Sequence, residues 1–264
     1  MYLLACDESN RNPSDRRRFF IYGGIIVDGD NCLTIHQFFE RLRIQYGITS
    51  GWNLKFDAAA RPATLSAERF AEVKNRVLEA APGWGVRFIA YVVHHRIADT
   101  RAKQERAFRS AMNTILYQFN GFLRQHDDHG VFLIDRFDGG ACLDLLKSIF
   151  TRGLDLPAQN ARRAIDRVTM MGASCLGASH LMSLLDIVLG AFRYCVNARA
   201  EKFEVARLLY SKLQPLLVTA PGNPRVEEWG LFLRPQEVRA ADIQAEYTQL
   251  RQHLARLGQP ERAV

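Results

Sequence analysis

The sequence predicts an α/β protein in which helices flank a mixed central sheet, and three observations lead to this prediction. Short apolar runs alternate with longer segments of helical periodicity, as is typical of layered α/β domains. A turn-rich segment separates the first two runs, residues 2–6 and 19–27, and this indicates an antiparallel hairpin. The 264 residues are enough to bury one sizeable core. We therefore expect a single domain.

The elements follow in chain order from the same criteria. Ser66 is a candidate N-cap, and Pro82 with Gly83 should end the helix that it begins. After the hairpin, strands are predicted at residues 86–93, 131–134 and 165–171, with a short one at 54–56, and helices at residues 33–46, 66–81, 103–125, 141–150, 180–198, 201–217 and 235–257. Residues 1–200 should form the α/β domain, and residues 201–264 a C-terminal helical extension packed on the same domain.

Composition limits the class of protein. Hydrophobic residues make up 48% and charged residues 24%, which is ordinary for a globular chain. No apolar run reaches the roughly 18–20 residues of a membrane span, and the five cysteines include no C-x-x-C pair. We expect a soluble cytoplasmic protein. The net charge of +7 permits a polyanionic partner such as nucleic acid, although the arginine excess behind it is also explained by genomic base composition.

Three aspartates stand in unusual contexts. Asp7 and Asp135 each end a predicted apolar strand, and ligands of open α/β sheets bind beyond the carboxyl ends of strands. Asp186 lies in the middle of a helix that is apolar almost all round. Because a buried carboxylate without a partner is costly, Asp186 needs a cation or a hydrogen-bond donor.

Small and polar residues of this helix recur at intervals of three and four, which places them on one face. They are Ser179, Ser183, Asp186, Gly190, Arg193 and Asn197. Gly190 should allow the helix to approach a neighbour closely. Arg193 is one candidate partner of Asp186, and a divalent cation such as Mg²⁺, which takes hard oxygen ligands, is the other.

The residue pattern alone is also compatible with purely structural roles for the three aspartates. Asp7 and Asp135 each precede a turn-rich segment and could cap its turn. Asp186 could be satisfied by an ion pair with Arg193. Spacing therefore does not by itself establish a metal site.

Several motifs, taken in order, resemble a widespread and largely uncharacterised bacterial and phage family, the domain of unknown function 3800. Its opening strand and Asp-Glu-Ser-Gly motif are similar to residues 2–10, and its strand with a small-residue pair resembles residues 20–27. Its lysine-bearing segment, its strand ending in aspartate and its late Gln-Leu-Ala-Asp helix resemble residues 54–56, 131–135 and 183–190. The resemblance covers roughly residues 2–200.

Three positions depart from the family pattern. Asn10 replaces a glycine, and asparagine, like glycine, can enter left-handed turns. Ser183 stands in place of a glutamine and Leu185 in place of an alanine, which weakens what the resemblance implies about contacts beside Asp186, although the aspartate itself is kept.

The family is similar to the ribonuclease-H-like superfamily, so the resemblance implies a three-layer ribonuclease-H-like fold. It also implies Asp7, Asp135 and Asp186 as catalytic ligands of Mg²⁺ or Mn²⁺, with Glu8 as a further metal ligand. Neighbouring strand residues point to opposite faces, which argues against Glu8. The implied activity is that of a metal-dependent nuclease or phosphodiesterase that attacks nucleic acid with a metal-activated water.

Basic residues near these motifs are candidates for nucleic-acid binding. Lys55 would neutralise a phosphate or pair with a surface acid. Arg16, Arg17 and Arg18 would guide a phosphate backbone or form a solvated loop.

The last predicted helix carries an apolar stripe that would pack on its own domain or form a homodimer seam. The stripe consists of Ile243, Tyr247, Leu250, Leu254 and Leu257.

Two other functions are compatible with the sequence. A non-catalytic nucleic-acid-binding or scaffold protein would keep the fold without turnover. A partner-dependent phage-defence or toxin-like component would need a second protein for its activity. The nuclease hypothesis requires the three carboxylates to lie near one another, whereas an Asp186–Arg193 pair remote from Asp7 would contradict it.

Overall fold

The computed structural model describes residues 1–10, 18–48, 54–135, 139–155, 162–163, 165–174 and 176–259. Within these ranges, helices on both faces enclose a six-stranded mixed sheet, so the predicted α/β class is confirmed. None of the described helices is long and apolar enough to span a bilayer.

The strands and helices lie close to the predicted positions. The strands of the main sheet are β1 (Tyr2–Ser9), β2 (Phe19–Asp28), β3 (Arg87–His94), β4 (Gly130–Asp135), β7 (Val168–Ser174) and β8 (Leu231–Arg234), while β5 (Leu154–Asp155) and β6 (Arg162–Arg163) form a separate pair. The helices are α1 (Cys32–Tyr46), α2 (Ala67–Ala80), α3 (Arg101–Gln125), α4 (Gly139–Arg152), α5 (His180–Asn197), α6 (Phe203–Leu213) and α7 (Ala241–Leu257). Ser66 is the N-cap of α2, and its hydroxyl accepts a hydrogen bond from the Arg69 backbone N–H.

The strand order β7-β4-β1-β2-β3-β8 sets which strand ends meet. The predicted hairpin is present, because β2 is antiparallel to β1 and also to β3. The pairs β1–β4, β4–β7 and β3–β8 are parallel. As a result, all strands of the main sheet except β2 run in one direction, and their carboxyl ends lie along the same side of the sheet.

Two apolar cores lie on the two faces of the sheet. Alternation along β1 sends Ala5 into the core beneath α1, α2, α5, α6 and α7. Leu4 and Cys6 point the other way, into the core beneath α3 and α4. Side chains of β1 at odd positions therefore face α5, and those at even positions face α3.

The C-terminal segment differs from the purely helical extension that the sequence predicts. It contributes α6 and α7, but it also supplies β8, which pairs with β3 at the edge of the sheet. Four residues between Pro- and Gly-containing loops are too few to show a strand period, so only the pairing with β3 identifies them as a strand. The predicted helix start at residue 235 is likewise too early, since α7 begins at Ala241.

The apolar stripe of α7 is buried within the chain's own core, which is the first of its two predicted roles. Its five residues are at most 7% exposed, so the stripe is not available as a homodimer seam.

The segment at residues 54–56 is not a strand. Its backbone is used instead to contact α5, as described below.

Candidate functional site

The ends of β1 and β4 bring Asp7 and Asp135 together. The two strands are parallel with Cys6 opposite Ile134, so the next residues, Asp7 and Asp135, are neighbours in the sheet. Asp7 has the same orientation as Ala5 and therefore lies on the α5 face, and the register gives Asp135 that orientation too. Both side chains are half-buried.

Helix α5 covers this face of the sheet and carries Asp186. It packs against β1 and β2 with its apolar residues. The half-buried Asp186 does not enter this core; its Oδ2 accepts a hydrogen bond of 2.7 Å from the backbone N–H of Phe56. The carboxylate is thus held by a segment far away in sequence.

Gly190, one turn further along α5, makes that contact possible. A Cβ atom at this position would lie 2.3 Å from Cβ of Phe56. The predicted close approach is therefore real, and the neighbour is Phe56. The cation of Lys74 completes the support, because its Nζ donates to the Phe56 carbonyl over 3.0 Å and lies 4.6 Å from the centre of the Phe56 ring.

The negative charges of Asp135 and Asp186 both act on Asp7. Burial, together with the negative charges of Asp135, Asp186 and Glu8, raises the pKa of Asp7 to about 7, although the hydrogen bond from the backbone N–H of Glu8 lowers it. Burial also raises the pKa of Asp186, while the Phe56 N–H and then the cations of Lys55 and Arg193 lower it. The site is therefore an acidic cluster on which the positive charges of Lys55 and Arg193 act.

Asp186 is not closed off by an ion pair with Arg193. The guanidinium contact of Arg193 is with Asp57, at 3.9 Å between Nη2 and a carboxylate oxygen. Among the described residues, Asp186 has no ion pair, although the charges of Lys55 and Arg193 both act on it. Lys55 thus lies within electrostatic reach of the acidic cluster, which agrees with a role at the site.

Glu8 points to the opposite face of the sheet from Asp7, although its negative charge also raises the pKa of Asp7. Its side chain points to the α3 face, where it is paired across the hairpin with Tyr22. Arg18 forms an ion pair of 2.9 Å with Glu246 of α7, and Arg16 and Arg17 lie outside the described residues.

The described side chains do not already form a compact metal cluster, since no group of three His, Cys, Asp or Glu residues among them is close enough to hold an ion. The donor chemistry nevertheless suits a hard divalent cation. Mg²⁺ takes few ligands from protein and completes its shell with water and phosphate oxygens. Asp7 and Asp135 offer such oxygens side by side, and a cation between them would remove the repulsion that raises the pKa of Asp7.

Two contributors to the site are not among the sequence candidates. The backbone N–H of Phe56 carries no side-chain signal, and Lys74 has the appearance of an ordinary surface lysine of α2. The available hint was Gly190, whose place on the polar stripe of α5 indicates a close neighbour without naming it.

Comparison of the chain with family models, with curated proteins and with solved structures found no match. The resemblance to the domain of unknown function 3800 therefore stays a prediction that rests on the motifs quoted above.

Proposed function

We propose that this protein is a metal-dependent nuclease or related phosphodiesterase whose site is formed by Asp7, Asp135 and Asp186. The observation that carries the proposal is the placement of two aspartates side by side at the ends of parallel strands, on the face covered by the helix that bears the third. Half-buried carboxylates gathered in one place repel one another, and a cation that joined them would offset this repulsion.

The residues divide the work between them. Asp7 and Asp135 would hold the cation, and Asp186, fixed by the Phe56 N–H, would face it from α5. Mg²⁺ or Mn²⁺ bound there would lower the pKa of a water and offset charge on a phosphate. Lys55, whose positive charge lowers the pKa of Asp186, would neutralise a further phosphate oxygen.

The order of the strands supports the finer hypothesis of a ribonuclease-H-like fold. The chain makes a hairpin from β1, adds β3, and then crosses back to place β4 on the other side of β1. This crossover is what puts carboxylates from two distant parts of the sequence on adjacent strand ends, where ligands of α/β sheets bind.

A proton could compensate the cluster in place of a metal. Two neighbouring carboxylates can share one proton, and the raised pKa of Asp7 agrees with that too. A non-catalytic nucleic-acid-binding or scaffold protein would have such a proton-sharing pair and no turnover, so metal binding separates the two functions.

The decisive measurement is calorimetric titration of the wild type, Asp7→Asn and Asp186→Asn with Mn²⁺ and with Mg²⁺. We expect millimolar or tighter binding by the wild type and a loss of about 100-fold or more in the variants, since removal of a ligand should exceed the effect of removing a supporting residue. Asp166→Asn is the matched control, because Asp166 lies on the exposed surface near α3 and pairs with Arg124.

Cleavage of single-stranded, duplex and hybrid oligonucleotides is then compared in Mn²⁺ and in chelator. Metal-dependent cleavage that Asp7→Asn abolishes, with unchanged circular dichroism, supports the proposal. Metal binding that survives in Asp7→Asn, or no cleavage by a wild type that binds oligonucleotides, would favour the binding or scaffold function.

A further inference from the structure

A cleft of about 400 Å³ lies beyond the end of β1, beside the acidic cluster. Its walls come from the end of β1, the Phe56 segment, the last turns of α5 and the connection to α6. The residues that matter for its chemistry are Asn10, Phe56, Arg193, Tyr194, Arg199 and Lys202. We call it the basic cleft.

The basic cleft is positively charged, whereas the neighbouring acidic cluster is negatively charged. Three cationic side chains and one carboxylate, Glu201, line it. Arg199 and Lys202 are exposed and have no ion pair within the described ranges, and Arg193 reaches Asp57 only at 3.9 Å. A cleft in which basic side chains outnumber acidic ones suits a phosphate, which arginine can bind through two parallel hydrogen bonds.

Asn10 adds a second and independent indication of a ligand. Its side chain is 5% exposed and lines the cleft, with Nδ2 donating to the Phe19 carbonyl over 3.2 Å. Its Oδ1 is buried and has no hydrogen-bond partner in the part of the chain that the structure describes. Because buried polar atoms normally have partners, an acceptor left over here indicates a ligand that donates. Phosphate diester oxygens cannot donate, whereas the hydroxyls of a sugar or the amino groups of a base can.

The polar face of α5 connects the two sites. Asp186, Gly190, Arg193 and Asn197 follow one another on that face at intervals of three and four. With a rise of 1.5 Å per residue, Arg193 lies about 10 Å along the helix from Asp186, and Asn197 about 16 Å. A stacked strand advances about 3.4 Å per nucleotide, so this distance corresponds to a few nucleotides.

We propose that the basic cleft binds one nucleotide of a nucleic-acid strand, with its phosphate on Arg193, Arg199 and Lys202 and its sugar or base on Asn10, a few nucleotides away from the phosphate held at the acidic cluster. This inference rests on the proposed function, for which it supplies the substrate-binding half of the site.

The test is binding of a fluorescein-labelled single-stranded oligonucleotide, measured by anisotropy in chelator so that metal binding plays no part. The double variant Arg199→Gln/Lys202→Gln removes two exposed charges of the cleft. Arg41→Gln/Arg109→Gln removes two exposed charges from α1 and α3 and is the matched control.

We expect the cleft variant to bind the oligonucleotide at least about tenfold more weakly, because it loses two phosphate contacts. The control variant should bind it as the wild type does. The slope of log K against log salt should fall by about 1.4 in the cleft variant, since each contact with a single strand contributes about 0.7. Equal affinities and slopes for the two double variants, or no binding by the wild type, would overturn the proposal.

Asn10→Gly distinguishes a nucleotide from free phosphate. Glycine accepts the left-handed backbone of this position, where φ is 62°, so the variant should fold. We expect weaker oligonucleotide binding but an unchanged competition constant for inorganic phosphate. An oligonucleotide affinity equal to that of the wild type would show that the cleft takes phosphate alone. These binding measurements are made in chelator and do not depend on metal binding. Failure of the proposed function would therefore be seen separately, in the calorimetric and cleavage experiments.

Discussion

Two aspartates on opposite sides of this protein are in contrasting electrostatic states. Asp166, near α3, accepts hydrogen bonds from Asn120 Nδ2 at 2.9 Å and Arg124 Nε at 3.1 Å. The hydrogen bonds from Arg124 and then from Asn120 lower its pKa to about 2. Asp7 has the N–H of Glu8 as its donor, and burial with the charges of Asp135 and Asp186 raises its pKa to about 7.

The difference separates a carboxylate that helps the fold from one that costs it stability. Asp166 is compensated by groups of the chain itself. Asp7 accepts a hydrogen bond from the backbone N–H of Glu8, but it also has the negative charges of Asp135 and Asp186 near it on a face that is otherwise apolar. Groups with strongly perturbed pKa values in a partly open position are candidates for function, because a stable fold does not require them.

The largest effect is expected from Gly190→Ala, which would break the acidic cluster without changing its charges. The added Cβ would lie 2.3 Å from Cβ of Phe56 and push away the N–H that holds Asp186. Overpacking of this kind costs about 1–3 kcal/mol, so we expect a loss of about 2 kcal/mol in the free energy of unfolding, measured with urea.

Gly121→Ala in α3 is the control for that change, because its Cβ would have no neighbour within 4 Å apart from the adjacent residues and backbone of its own helix. It should leave stability unchanged or raise it by up to about 1 kcal/mol, the helix preference of alanine over glycine. Equal stabilities of the two variants would mean that the Phe56 contact is not tight.

A smaller effect of opposite sign is expected from Asp7→Asn. The folded chain ionises Asp7 near 7 and the unfolded chain near 3.8, so the wild type loses stability as the pH rises through this window. Asparagine does not ionise, and the variant should therefore be more stable by about 1–2 kcal/mol near pH 8, below the upper limit of about 4 kcal/mol that the full shift gives.

Urea denaturation of Asp7→Asn and the wild type without metal, at about pH 4 and about pH 8, checks this. The two proteins should differ little at about pH 4, where Asp7 of the folded wild type is protonated and only about half of the unfolded chains are ionised at this residue. A variant less stable than the wild type at about pH 8 would mean that the Asp7 carboxylate is compensated within the chain.

The smallest effect is expected from Asp166→Asn. The lowered pKa of Asp166 gives stability that is present above 3.8 and is lost as the pH falls through about 2. Because the site is exposed, the variant should lose only about 0.5–1 kcal/mol at neutral pH. Thermal unfolding at neutral pH and at about pH 2 measures it, and a stabilised variant would remove the contrast with Asp7.

Local sequence patterns predict most of the strands and helices, although they miss β8 and wrongly suggest a strand at residues 54–56. Apolar runs and helical periodicity placed the hairpin, α2 with its Ser66 cap, and α5 with its polar face. Asn10 has the left-handed backbone conformation that its residue type predicts, with φ of 62°. The three aspartates were also recognisable, because a charge next to or within an apolar run is unusual wherever the chain folds.

Which of these residues become neighbours depends on the tertiary structure. The register between β1 and β4 placed Asp135 beside Asp7 and turned Glu8 to the other face, and no local pattern contains that register. The Phe56 N–H reached Asp186 across 130 positions of the chain, and a backbone donor looks the same at every residue. β8 and the basic cleft likewise exist only through neighbours distant in sequence, because pairing and burial depend on the surroundings that the whole fold supplies.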